Sequence, residues 1–183
     1  MIGIMHEILF DFVKSNFGEA AVDELKRRAG VEGEKFRLDT AYDDGEWRRI
    51  VATAVELAGG DADAVETAFA HYAGEDLVLR FPGFFKGAKS ARDMIARQPA
   101  IHNNLSTGLS DDARRRVNDK FSLDDRGDTL VMHYTSPNKH CTLYIGLATW
   151  VAGHYGERLE VRHDRCMKRG ADECEIVLRF PDA

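Results

Sequence analysis

The sequence predicts an α+β fold, in which an N-terminal helical subdomain packs on a C-terminal subdomain that contains an antiparallel sheet. Two observations support this prediction. Apolar residues recur at helical spacing through roughly the first hundred positions, whereas residues 129–136 alternate between apolar and polar. Helical segments come first and most strands follow, which is typical of the α+β class. We expect one domain over residues 1–183, with a helical lobe at about 1–60 and an α+β lobe at about 61–183.

The first three predicted helices are separated by glycines. Gly18 ends the first helix, the second spans residues 20–29 and stops at Gly30, and the third spans 46–58 and stops at Gly59. The first helix is predicted by an apolar stripe that contains Ile4, Ile8, Leu9, Phe12 and Val13.

A fourth helix follows, and then a segment that interrupts the helical pattern. Asp63 and Glu66 have the spacing of a capping box, which predicts a helix that continues through Tyr72. Residues 81–87 are too rich in turn-forming residues for a helix. The next apolar segment is helical and contains Pro99, which either kinks that helix or starts a new one.

The second half of the chain is predicted to contain one helix and three strands. Residues 129–136 form the first strand, and residues 141–155 return to helical spacing. Two further strands are predicted at 159–161 and 174–180, joined by a turn at Gly170. These strands form the antiparallel sheet of the α+β lobe.

Composition excludes several broad classes of function. The chain has 25 basic and 31 acidic side chains and a formal net charge of −6, so we expect no binding to nucleic acid or acidic membranes. No apolar run approaches the roughly 18 residues of a membrane-spanning helix, and the start lacks the basic segment of a signal peptide. Three cysteines, an odd number, argue against a disulfide framework. We therefore expect a cytoplasmic protein.

One histidine and one strand carry groups that are suited to bind a ligand. His102 lies on a mostly apolar helical segment, where it is either a structural residue or a ligand of a metal or haem iron. Tyr134 and Ser136 lie two residues apart on a predicted strand, so their hydroxyls point to one face and can hold a carboxylate. An ordinary strand explains the same pattern, and periodicity does not decide between these alternatives.

A series of short motifs, taken in order, resembles one protein family. Each motif is weak alone, but their order and spacing together resemble the bacterial stand-alone type of the H-NOX family, the haem nitric oxide/oxygen binding domains. The resemblance covers nearly the whole chain. The motifs are Met1-x-Gly3, Phe12-Val13, Phe17-Gly18, Phe69-Ala70-x-Tyr72, Phe81-Pro82, His102, Tyr134-x-Ser136 and Gly146-Leu147.

The resemblance implies a haem b between the two subdomains. His102 becomes the proximal iron ligand, and Tyr134 and Ser136 become propionate contacts, as the first two residues of the family motif Tyr-x-Ser-x-Arg. The third motif position, also carried over to the haem site, falls on Asn138. The implied function is a gas sensor that binds nitric oxide at ferrous iron and signals in trans to a separate effector, a histidine kinase or a diguanylate cyclase.

Three positions depart from the family pattern. Asn138 replaces the motif arginine, and a neutral amide makes no charged, two-pronged pair with a propionate; Lys139 or His140 are poorer substitutes. A proline that presses on the haem face is missing near residues 112–115, and Ala70 replaces a hinge glycine. These losses leave an alternative open: a haem-free or weakly haem-binding ligand or scaffold domain of the same fold, with a zinc or redox site.

The resemblance also assigns the wall of the gas-binding pocket. By register this wall contains Met5, Leu9, Leu77 and Leu143, and Leu143 stands where oxygen-binding members have a tyrosine. Without a donor, bound oxygen loses a hydrogen bond that nitric oxide needs far less. The resemblance therefore implies a sensor of nitric oxide, which also binds carbon monoxide, although these residues would be apolar as ordinary core too.

A second group of candidate metal ligands lies near the C-terminus. His163, Cys166 and Cys174 flank a turn, and one imidazole and two thiolates at this spacing suit tetrahedral zinc. Some H-NOX proteins are similar, with a histidine and three cysteines, but their last cysteine falls on Leu178 here. Inert or reversibly paired thiols are the alternative. The fourth ligand is left open among Cys141, His140 and Asp164.

We expect that the protein is not an enzyme. His140 and Cys141 are adjacent, so their side chains do not point at each other as a nucleophile and its base must. The sequence contains no recognisable acid–base pair, phosphate-binding loop or catalytic triad. A binding module, with or without haem, is therefore favoured over an enzyme.

Overall fold

The computed structural model describes residues 1–181, except for the side chain of Arg116, and confirms the α+β class. The four strands in this part of the chain are β1 (Phe121–Asp125), β2 (Thr129–Tyr134), β3 (Glu160–Arg165) and β4 (Cys174–Arg179). They form one antiparallel sheet in the order β1-β2-β4-β3. The α-helices described are α1 (Gly3–Phe17), α2 (Glu19–Ala29), α3 (Asp44–Leu57), α4 (Ala62–Arg80), α5 (Pro82–Phe85), α6 (Ala91–Ala96), α7 (Gln98–Leu105), α8 (Asp111–Asn118) and α9 (Cys141–His154).

Glycine, proline and capping side chains set several helix boundaries. Gly18 follows α1, and Gly30 follows α2 in the left-handed region with φ 71°, as the sequence predicts. The side chain of Asp43 accepts a backbone N–H of the first turn at 2.9 Å and so caps α3. Pro99 lies in the first turn of α7, so of the two alternatives it starts a new helix.

The predicted start of α4 is wrong. Asp61 is the capping residue, because its side chain accepts the backbone N–H of Ala64 at 3.0 Å. The expected capping box of Asp63 and Glu66 does not form. Both carboxylates instead bind partners in other elements, which local spacing cannot reveal.

Helix α4 also continues past its predicted end at Tyr72, and it packs very closely against α9. A Cβ atom added to Gly74 would lie 2.3 Å from the Trp150 side chain, and one added to Gly146 would lie 2.6 Å from the Ala70 Cβ. Glycines at this crossing therefore allow a close approach of the two helices. Gly74 lies inside α4 and does not end it.

Three elements are missing from the sequence prediction. Helix α5 forms one turn in a segment expected to be a turn, because Pro82 fits the first turn of a helix. Helix α8 forms in a charged run expected only to be solvated, and the Ser110 side chain caps it. Strand β1 pairs with β2, but only Phe121 and Leu123 in it are partly buried, so its apolar alternation is short.

Two hydrophobic cores meet at α9. Helices α1 to α4 surround the first core, in which Ile8 and Trp47 are fully buried. The second core lies between the sheet and helices α6 and α9. Leu143 of α9 packs in the first core and the next residue, Tyr144, packs in the second. Among the described residues, no helix combines the length and the hydropathy that crossing a membrane requires.

Candidate functional site

A mostly apolar cavity lies where the two cores meet. The space open to the centre of a water-sized sphere is about 250 Å³, whereas one water needs roughly 10–15 Å³ on this measure. Helices α1, α4, α6, α7 and α9 and the β1–β2 pair all contribute to its walls. The polar and charged side chains in its lining are Gln98, His102, Lys120, Tyr134, Ser136, His140 and Tyr144.

His102 lines this cavity from α7. Its ring centroid is 4.7 Å from that of Phe121, and its buried Nδ1 atom has no hydrogen-bond partner among the described residues. Burial, followed by the nearby charge of Lys120, lowers the pKa of His102 to about 4. The imidazole is therefore neutral near pH 7, which is the state that a metal ligand requires.

Tyr134 and Ser136 line the same cavity, whereas Asn138 is not in the described lining. The Tyr134 hydroxyl accepts the backbone N–H of His140 at 3.0 Å, and burial raises the pKa of Tyr134 to about 12, so it keeps its proton. The Asn138 side chain donates from Nδ2 to Asp44 at 2.8 Å, and its buried Oδ1 has no described partner. The side chain that occupies the position of the motif arginine is thus hydrogen-bonded to helix α3.

Met1 and Lys120 form what we call the polar end of the cavity. Asp44, which is not in the described lining, accepts hydrogen bonds from three donors beside it. Its Oδ1 accepts from the N-terminal amine at 3.0 Å, from Asn138 at 2.8 Å and from Lys120 Nζ at 3.2 Å. Burial raises the pKa of this carboxyl, but the hydrogen bonds and the two positive charges outweigh burial and lower it to about 2. Met1 and Lys120 both line the cavity, so the residues that carry the two ammonium groups border it.

Three of the four residues predicted for the apolar wall line the cavity. Met5, Leu77 and Leu143 line the cavity, whereas Leu9 is buried in the first core and is not in the described lining. Tyr144 was not predicted: it lines the cavity from the side of the second core, and its buried hydroxyl has no described partner. Its ring lies 6.0 Å from that of Phe121, which is also the ring that contacts His102.

A buried ionic network links α3, α4 and α9 to the turn between β3 and β4. Glu66 accepts from His140 Nδ1 at 3.0 Å and from Lys168 Nζ at 2.9 Å, while Trp47 donates to His140 Nε2 at 2.7 Å. Burial raises the pKa of Glu66, but His140 and then Lys168 lower it below its usual range. Because both ring nitrogens of His140 are engaged, this residue offers no free nitrogen to zinc or to a propionate.

Four potential metal ligands form a compact group beside this network. One ligand atom from each of Cys141, His163, Cys166 and Cys174 lies within 4.8 Å of the others, and the Cys141 and Cys166 sulfurs are 3.9 Å apart. All three cysteines are buried and free, and His163 Nε2 is buried with no described partner. Cys141 is therefore the residue, among the three left open, that the fold brings to the other ligands.

A family profile decides which family the sequence represents. The profile described as Haem-NO-binding matches residues 2–163. The chain belongs to this family, the H-NOX family. A comparison with curated protein sequences gives no match.

Solved H-NOX structures share this fold at low sequence identity. An H-NOX protein from S. oneidensis in the Fe(II)NO ligation state is 20% identical, with 100% of both chains covered and a TM-score of 0.82. An oxygen-binding H-NOX domain related to soluble guanylate cyclases, in its oxygen complex, is 18% identical, with 100% of this chain and 96% of that chain covered and a TM-score of 0.78. The H-NOX domain of Shewanella oneidensis in the Fe(II)CO state is 20% identical over 100% of both chains, with a TM-score of 0.79.

Sequence reasoning missed two polar features of this H-NOX cavity. Lys120 and Asp44 are 76 residues apart, and neither belongs to a local pattern that marks a binding site. Tyr144 follows Leu143 directly, so the two residues point about 100° apart on α9 and face different cores. Before the fold was known, the only sign that Tyr144 faces the cavity was its position next to Leu143 on the same helix.

Proposed function

We propose that this H-NOX domain is a haem-based sensor of nitric oxide that holds the haem through His102 and signals to a separate protein. One observation carries the proposal: His102 presents a neutral imidazole with an unpartnered buried nitrogen to a cavity whose walls are mostly hydrocarbon. An unpartnered buried polar atom is rare in folded proteins, and a ligand to it would explain its retention.

The cavity residues fit the parts of a haem b. His102 would bind the iron, the apolar walls would pack on the porphyrin, and the hydroxyls of Tyr134 and Ser136 would donate hydrogen bonds to a propionate. When bound, ferrous haem would supply a coordination site for a diatomic gas. The neutral state of His102 leaves a nitrogen lone pair available for the iron.

The wall on the first-core side favours nitric oxide over oxygen. Met5, Leu77 and Leu143 offer no hydrogen-bond donor, and the polarity of this pocket decides whether an oxygen ligand is stabilised. The one unpartnered hydroxyl that the described lining offers, that of Tyr144, comes from the second-core side, where the Phe121 ring lies near both Tyr144 and His102. We therefore expect binding of nitric oxide and carbon monoxide, and no stable binding of oxygen.

The helix that carries His102 would transmit a change at the iron to the protein surface. Helix α7 has eight residues, and the His102 ring contacts Phe121 of β1. A change in the bond at His102 would therefore shift α7 relative to the sheet and alter the surface that a partner sees. On the family resemblance, we propose a histidine kinase or a diguanylate cyclase as that partner.

The test is an absorption spectrum of the anaerobic, reduced protein after reconstitution with haem. The proposal predicts a Soret band that shifts when nitric oxide or carbon monoxide is added. In air, the spectrum should not become that of a stable oxygen complex. Failure to take up haem would contradict the proposal and favour the haem-free alternative. Stable oxygen binding would contradict the assigned wall and leave haem binding intact.

We further propose that Cys141, His163, Cys166 and Cys174 bind zinc. The support is their geometry: three sulfurs and one imidazole are the donors that structural zinc prefers, and here they already lie close together. Elemental analysis should find one zinc per chain in wild type under reducing, zinc-replete conditions and much less in Cys141→Ser or Cys174→Ala. A zinc-free wild type, or a Cys141→Ser variant with full zinc content, would contradict this four-ligand site.

A further inference from the structure

We propose that Lys120 binds a haem propionate and supplies the positive charge that the family motif takes from arginine. This inference rests on the proposed haem function and adds a residue to the site. The family motif places a cation at position 138, where this chain has Asn138, whose amide is bonded to Asp44. A propionate carboxylate in a mostly apolar cavity needs a compensating charge, because an unpaired buried charge is strongly unfavourable.

The backbone holds Lys120 at the polar end of the cavity. Its carbonyl oxygen accepts the N–H of Thr135 at 3.0 Å, between Tyr134 and Ser136 in the chain. The next residue, Phe121, pairs with Tyr134 across the two strands and contacts the His102 ring at 4.7 Å. Lys120 is thereby fixed beside both proposed propionate contacts, and it lies in the cavity lining itself.

The ammonium group of Lys120 is only partly compensated by its carboxylate partner. Its Nζ atom lies 3.2 and 3.4 Å from the two oxygens of Asp44, and its side chain is 14% exposed. Asp44 also accepts from the N-terminal amine and from Asn138, so Lys120 shares this carboxylate with two other donors. A second carboxylate in the cavity would complete the compensation.

The two residues next to the motif that could replace the arginine, Lys139 and His140, are placed less well. Lys139 is exposed and is not in the described cavity lining. His140 lines the cavity, but Trp47 and Glu66 engage its two ring nitrogens. Lysine presents a point charge without the two-pronged geometry of arginine, so we expect a weaker grip on the propionate than an arginine would give.

The experiment measures the rate of haem loss to apomyoglobin for wild type and Lys120→Gln. We expect loss from the variant to be roughly tenfold faster, because a hydrogen bond to a charged group is worth more than a neutral one. Lys120→Arg should keep the wild-type rate or slow it, and Lys139→Gln, a change at an exposed lysine of the same charge, should have no effect. Equal rates for wild type and Lys120→Gln would overturn the inference.

Haem dimethyl ester separates a charge contact from general damage to the site. The ester lacks the carboxylates, so wild type and Lys120→Gln should lose it at the same rate if Lys120 acts on a propionate. Faster loss of the ester from the variant would instead show a structural role and overturn the inference. If Lys120→Gln does not fold, Lys120→Arg decides: it must retain haem at least as long as wild type, and faster loss contradicts the inference.

The outcome for the proposed function is separable from this result. If wild type takes up no haem, the proposed function fails and this inference fails with it. If wild type binds haem through His102 and Lys120→Gln changes nothing, only the assignment of Lys120 fails.

Discussion

The cavity and the cysteine cluster are two candidate ligand sites that the fold builds in different ways. Three of the four cluster ligands come from one strand–turn–strand segment, and all four ligand atoms already lie within 4.8 Å of one another. The cavity takes its lining from Met1 to Val151, and its polar atoms are few. These three cluster ligands need mainly a correct turn, whereas the cavity depends on the packing of almost every element.

The two sites share one wall. Cys141 is the first residue of α9, and His140 immediately before it lines the cavity. Glu66 connects His140 to Lys168, which lies in the turn between Cys166 and Cys174. Changes in this wall should affect both sites, and changes in cavity-lining elements away from it should affect mainly the cavity.

The largest effect is expected at the shared wall. Glu66→Ala removes the common partner of His140 and Lys168. Lys168 keeps Asp63 at 2.8 Å, but the buried Nδ1 donor of His140 loses its acceptor, which costs about 3 kcal/mol. Urea unfolding of the haem-free protein measures this loss. Zinc content should fall as well, because Lys168, which lies in the turn between Cys166 and Cys174, loses one of its two carboxylate partners.

Glu56→Ala is the matched control for that change. Glu56 pairs with Arg28 on the surface, where an ion pair contributes less than about 1 kcal/mol. If Glu66→Ala is no more destabilising than Glu56→Ala, the network does not join the two sites.

An intermediate effect is expected at the polar end of the cavity. Asp44 has its pKa lowered to about 2, below its value of 3.8 when unfolded, so its ionised form stabilises the fold by about 2 kcal/mol. This contribution is fully present above about pH 4 and is lost as the pH falls through 2. Asp44→Asn should therefore be destabilising at pH 7 and nearly neutral at pH 2, with little effect on zinc content.

Asp43→Asn provides a control one residue away. Asp43 caps α3, and asparagine caps a helix about as well as aspartate does. Stability curves from pH 7 to pH 2 should thus be nearly parallel for Asp43→Asn and wild type. A pH-independent effect of Asp44→Asn would show that its charge is not what stabilises the fold.

The smallest effect is expected at a helix that borders only the cavity. Ser90 caps α6 by accepting the Asp93 N–H at 3.0 Å, and α6 places Met94 and Ile95 in the cavity lining. Ser90→Ala should cost about 1 kcal/mol and should speed haem loss without changing zinc content. Thr149→Ala, at an exposed position in the interior of α9, should have no such effect; equal behaviour of the two variants would contradict the role of the cap.

The sequence predicted the features that short segments determine. Gly18 and Gly30 mark helix ends through backbone conformation, and the alternation in β2 marks a strand, so these predictions are confirmed. Helix α8 and strand β1 lack a long apolar pattern, and only a few packed residues support each of them. Periodicity could not have placed them.

Contacts between distant segments were beyond the reach of sequence patterns. The spacing of His163, Cys166 and Cys174 indicated a metal site, but only the fold brings Cys141 to it. The pairing of Lys120 with Asp44 joins the start of α3 to the residue just before β1, 76 positions away, and neither residue stands out locally. The H-NOX resemblance supplied the expectation for His102 that periodicity left undecided.

The most direct test of haem binding through His102 is the spectrum of His102→Gly after reconstitution with haem, with and without imidazole. Glycine removes the proposed iron ligand and leaves a space that free imidazole can enter. The account predicts that the reduced variant loses the wild-type Soret spectrum and that added imidazole restores it. An unchanged spectrum in His102→Gly without imidazole would contradict the account, because the iron ligand would then be another residue.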